Sequence, residues 1–118
     1  MLKVILEVGE METYSNIMKA SLLSLKSGAD FIKTSTGKIS QGADIYSVIV
    51  MLMVLREYYK ETKNLKGIKI AGGVKTISEA IQYKNLYEYF ISKNPNNELF
   101  RIRCSQLFDK IQSELLKK

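Results

Sequence analysis

Histidine is absent from this sequence and cysteine occurs once, at Cys104. A single cysteine cannot close an internal disulfide, and without histidine a zinc site has almost no ligands to draw on, so neither a metal nor a cofactor is expected. Cys104 reads as a small buried thiol. Long apolar runs are missing too: the longest, Val48 to Leu55, is too short to span a bilayer. Met1-Leu2-Lys3 does not open a signal peptide. The expectation is therefore a soluble, cytoplasmic protein without a membrane partner. Internal repeats and low-complexity tracts are also lacking.

Lysine and arginine number 18 against 12 acids, a net charge of +6. These cations are scattered along every predicted helix, with no dense arginine run and no interleaved aromatic motif. A lysine-rich solvated surface or an anionic phosphate ligand accounts for them better than nucleic acid does. At 118 residues the chain is one domain at most, spanning 1–118.

Apolar periodicity divides the chain into alternating strands and helices. Leu2 to Val8 is β-branched and aliphatic and ends at Gly9, which predicts a strand. From Thr13 to Ser27 the spacing turns helical, with Met18, Leu22 and Leu25 on one side and Gly28 as the C-terminal cap. A second strand, Ala29 to Thr34, follows. Asp44 is an N-cap for a helix reaching Thr62, apolar on more than one side and so covered on more than one side. Lys66 to Ala71 is a third strand, and Thr76-Ile77-Ser78-Glu79 is a capping box that opens the next helix. After the Asn94-Pro95-Asn96-Asn97 loop come a fourth strand, Leu99 to Arg103, and a last helix capped by Ser105. The order is (βα)4, which predicts an α/β fold with a parallel sheet and right-handed crossovers.

Within the second strand, Lys33 sits in an otherwise apolar run that opens into a small-residue turn, Ser35-Thr36-Gly37-Lys38. An ammonium in such surroundings is costly, so the group tends to lose its proton or find a partner. That makes Lys33 a candidate amine nucleophile for a carbonyl substrate.

The unbroken run Phe31-Ile32-Lys33-Thr34-Ser35-Thr36-Gly37-Lys38 resembles the active-site strand of the deoxyribose-phosphate aldolases, class I Schiff-base aldolases. Lys3 to Glu10, Lys69-Ile70-Ala71-Gly72-Gly73-Val74-Lys75 and Phe100-Arg101-Ile102 extend the resemblance in the same order over almost the whole chain. It implies half of a TIM (β/α)8 barrel, strands five to eight. A complete barrel usually takes about 250 residues.

As a consequence of the resemblance, Lys33 is expected as the Schiff-base residue and Lys69 as the neighbouring cation that makes its amine more readily neutral. Gly37, Lys38, Gly72, Gly73 and Ser105 match turns around the family's phosphate pocket. The implied reaction is reversible cleavage of 2-deoxy-D-ribose 5-phosphate to D-glyceraldehyde 3-phosphate and acetaldehyde, without a metal.

Three departures bear on that expectation. Lys69-Ile70-Ala71 stands where the family usually has Lys-Pro-Ala, and Arg103-Cys104-Ser105-Gln106 replaces a glycine-led phosphate turn, so Arg103 must swing away or intrude. No acid matches the family's proton-relay aspartate, and Glu7 is the nearest inward-facing substitute or a structural partner of Lys33 or Lys69. An incomplete barrel also leaves two strand edges open. A homo-oligomer or a complementary N-terminal half-barrel chain would close them. Two other readings stay open: a non-catalytic half-barrel that binds a phosphorylated ligand or assembles with another protein, and a small doubly wound domain in which both lysines are incidental.

Overall fold

A computed structural model describes residues 1–36, 43–72, 74, 76–92 and 99–103. Its strands are β1 (Lys3–Ile5), β2 (Phe31–Lys33), β3 (Gly67–Ala71) and β4 (Phe100–Arg103), alternating with the helices α1 (Tyr14–Lys26), α2 (Ile45–Thr62) and α3 (Ile77–Phe90). All four strands are parallel and lie in the order β1-β2-β3-β4. A doubly wound sheet reverses its strand order at a switch point. This sheet never reverses within the described residues, so the doubly wound reading is set aside.

Each helix starts where a side chain takes over an otherwise unpaired amide. Thr13 Oγ1 accepts from Asn16 N at 3.1 Å, Asp44 Oδ1 from Ser47 N at 2.9 Å, and Thr76 Oγ1 from Glu79 N at 3.1 Å. At the end of α1, Gly28 takes φ +101°, a left-handed turn that glycine makes without strain.

Alternation along the strands separates two faces. Val4, Ile32, Ile68, Ile70, Phe100 and Ile102 point to the helices and join a core with Leu25, Val48, Met51, Leu52 and Leu55. Burial of each fully covered aliphatic side chain contributes about 1.5–3 kcal/mol. The other face carries Lys3, Ile5, Phe31, Lys33, Gly67, Lys69 and Arg101.

The structure departs from the periodicity reading chiefly at the end of the first strand and in the face that α1 buries. The first strand stops at Ile5, because Glu7 adopts a left-handed φ of 55° and Val8–Glu10 form a 3-10 turn. On α1 the inward residues are Ile17, Ser21 and Leu25, whereas Met18 and Leu22 are exposed. That outward apolar stripe lies on the helix nearest the β1 edge. The helix expected after Ser105 lies outside the described residues.

Candidate active site

The inward face of the sheet is built in rungs, because parallel strands in register carry their paired side chains on the same side. One rung is Ile5, Lys33, Lys69 and Arg101; below it, toward the amino ends of the strands, lies Lys3, Phe31 and Gly67. Lys33 and Lys69 are thus direct neighbours, as expected. Lys33 is only 8% exposed, while Ile5 beside it is 44% exposed. A buried lysine at the end of an inward-facing strand is the arrangement an amine nucleophile requires.

The backbone around Lys33 is fixed from both sides. Its carbonyl accepts from Leu6 N at 2.9 Å, and Thr34 N donates to the Lys69 carbonyl at 3.1 Å. Immediately after it, Thr34 Oγ1 donates to the Ala71 carbonyl and accepts from Ala71 N, both at 2.8 Å. Ser35 Oγ donates to the same carbonyl at 2.7 Å, and Ala43 N does so at 3.2 Å. Thr34 and Ser35 thus form a lock between the ends of β2 and β3. Thr34 and Ser35 are fully buried in it.

Glu7 holds Thr36. Its Oε1 accepts from Thr36 N at 3.1 Å and its Oε2 from Thr36 Oγ1 at 2.9 Å. The carboxylate therefore organises the turn after β2. It is placed beyond the end of β1 and not on it.

Of the residues expected around a phosphate, Gly72 is described: it follows β3 with φ +79°, and its carbonyl accepts from Ala43 N at 2.9 Å. Gly37, Lys38, Gly73 and Ser105 lie outside the described residues, as does Cys104. Arg103 is the register partner of Ala71 at the end of β4.

The rung below the lysines contains features that periodicity did not bring forward. A Cβ on Gly67 would lie 2.5–2.7 Å from ring atoms of Phe31, so the ring covers the glycine. Lys3 Nζ lies over the same ring at 5.8 Å from its centroid, and the Arg101 guanidinium at 4.7 Å. The period-two pattern Phe100-Arg101-Ile102-Arg103 was the available signal, since it sets Arg101 on the face of Lys69. Farther toward the amino ends is an open cleft of about 530 Å³, lined in part by Asp30, Lys66 and Arg101. There the Leu2 amide and the Lys66 ammonium hold the exposed Asp30 carboxyl below its ordinary value. In barrels of this kind chemistry sits at the opposite, carboxyl ends of the strands.

The pattern of the DeoC/LacD family aldolases matches residues 1–85. The chain belongs to that family. A Caenorhabditis elegans relative, provisionally named deoxyribose-phosphate aldolase, is 42% identical over 109 residues, which is 92% of this chain and 36% of the relative. Human deoxyribose-phosphate aldolase is 37% identical over 97% of this chain and 36% of its own length. A crystal structure of the apo-form of a Toxoplasma gondii protein, given the same name provisionally, superposes with a TM-score of 0.84 at 28% identity, covering 95% of this chain and 44% of that one.

The fold is thus the α/β arrangement of a parallel, partial TIM-barrel aldolase. The chain spans about a third of the length of the curated relatives it matches. No helix among the described residues is long and apolar enough to cross a membrane.

Proposed function

We propose that this family member supplies the Schiff-base half of a deoxyribose-phosphate aldolase, a lyase of deoxyribonucleotide catabolism acting in the cytoplasm. The observation that carries the reading is the buried Lys33 beside Lys69 in one rung, within a matched family segment. The neutral Lys33 amine attacks the aldehyde of open-chain 2-deoxy-D-ribose 5-phosphate, and loss of water leaves an iminium. Removal of the C3 hydroxyl proton then sends the C2–C3 electrons toward the iminium nitrogen, releasing D-glyceraldehyde 3-phosphate. Protonation of the enamine and hydrolysis return acetaldehyde and the free lysine. Lys69 is the cation that favours the neutral amine and aids proton transfer. Gly37, Lys38, Gly72, Gly73 and Ser105 are the phosphate-binding set.

Glu7, occupied with Thr36, does not replace a proton relay in this scheme. Positioned acid–base groups typically contribute about 10²–10⁴-fold, so the chain by itself is a slow enzyme. A complementary N-terminal half-barrel, in the same or another chain, or a second copy would close the barrel around Lys33.

The test is intact mass and peptide mapping after incubation with deoxyribose 5-phosphate and borohydride. An adduct on Lys33 that disappears in Lys33→Ala supports the reading. Folded protein that gives no adduct, alone or with a complementary half-barrel, overturns it and leaves a non-catalytic assembly or ligand-binding module.

A further inference from the structure

Phe31 has no part in the reaction proposed above, yet it is almost fully buried on the open face of the sheet. Its side chain shares a face with Lys33, two residues along β2, where the two are separated by roughly 6.6 Å. Instead of standing upright it lies across β3, in the space that the missing Cβ of Gly67 leaves. Arg101 is on the other side of β3, one rung higher, as the register partner of Lys69. Its guanidinium nevertheless lies at 4.7 Å from the Phe31 centroid, so the side chain turns down the sheet to reach the ring. A guanidinium over an aromatic face is attracted by about 0.5–2 kcal/mol, the larger value where both are desolvated.

We propose that Phe31 is a positioning residue: laid over Gly67, its ring draws the Arg101 guanidinium to the lower rung and keeps it away from the Lys33–Lys69 pair. This rests on Lys33 being the reactive amine. Among the groups facing Lys33 are Lys69 and Ile5 from the adjoining strands, Arg101 one strand farther, Lys3 on the lower rung, and Glu7, which is held by Thr36. One neighbouring cation makes an amine easier to deprotonate. A second at the same level would also oppose the positive charge of the iminium. Gly67 is what lets one aromatic ring reach from β2 to the arginine of β4.

The experiment measures competitive acetylation of Lys33 by acetic anhydride across pH, with peptide mapping and no sugar present. Variants are Phe31→Leu, Arg101→Lys and the double variant Phe31→Leu/Arg101→Met. Leucine keeps an apolar floor without a π face, and lysine keeps the charge but, lacking the flat fork, holds to the ring less tightly than arginine. Each single variant releases a cation toward Lys33, so labelling shifts to lower pH and rises about threefold at fixed pH on the ascending limb. The double variant returns to the wild-type profile.

A purely structural Phe31 lowers the denaturation midpoint and leaves the labelling profile in place, which overturns the proposal. So does a shift to higher pH, or a double variant that does not return. Should Phe31→Leu fail to fold, Phe31→Met, which also lacks a π face, takes its place in the single and the double variant. Borohydride trapping of the wild type with deoxyribose 5-phosphate is run in parallel. Absence of an adduct while the labelling shift persists removes the aldolase reading and keeps the cation-parking role of Phe31.

Discussion

Lys33 and Lys69 are register partners on adjacent parallel strands, so their side chains leave the sheet on the same face at the same level. Neighbouring strands run about 4.8 Å apart, so two ammonium groups leaving the same face at the same level disfavour each other's charge in a partly dry site. Replacing Lys69 by methionine keeps the stem and removes the charge. We expect the rate of borohydride-trapped adduct on Lys33 at pH 7 to fall about tenfold and to recover at higher pH. Wild-type and variant rate profiles that run parallel across pH would show that Lys69 does not act on the amine by its charge.

Thr34 joins β2 to β3 with two hydrogen bonds, one accepted from Ala71 N and one donated to the Ala71 carbonyl. Valine matches threonine in shape but strands the buried amide. Thr34→Val should lower the unfolding free energy by about 1–3 kcal/mol, read from urea denaturation. An unchanged denaturation midpoint would mean that the amide finds another acceptor.

Much of this architecture could be read from spacing alone. Asp44 and Thr76 cap α2 and α3 as the sequence indicated, and the apolar sweep of α2 became a helix buried on several sides. Lys33 stood out because a charged residue in a short apolar strand is conspicuous, whereas Lys69 came forward through the resemblance of its segment to the aldolase family. What escaped depended on pairing between segments distant in the chain. Glu7 looked like a strand residue facing the lysines; its left-handed backbone and its bonds to Thr36 follow from where β2 ends. Met18 and Leu22 fitted an inward stripe as well as Ile17, Ser21 and Leu25 did. Position at the edge of the helix layer chose between them, and a single helix's periodicity does not contain that information.

Gly67 is a packing requirement and not a turn. A methyl group there would come within 2.5–2.7 Å of the Phe31 ring. Gly67→Ala should destabilise the fold by about 1–3 kcal/mol through overpacking, measured by chemical denaturation. Combining it with Phe31→Leu should recover part of that loss, since the smaller side chain withdraws from the methyl. Strictly additive effects of the two substitutions would contradict a direct contact.

Tyr83 on α3 supplies a pH-dependent contribution to stability. Burial, and secondarily the carboxylates of Asp44 and Glu79, push its phenol up to about 12. In the unfolded chain the group ionises near its ordinary value of 10.0. The folded state binds this proton more tightly, so the contribution is fully present below pH 10 and is lost as pH rises through 12. At most about 1.4 kcal/mol is lost per pH unit in that window. Tyr83→Phe cannot ionise, so the difference in unfolding free energy between wild type and variant should change steadily between pH 10 and 12 in favour of the variant. Curves that stay parallel through that range would place the ionising phenolate in contact with water in the folded state.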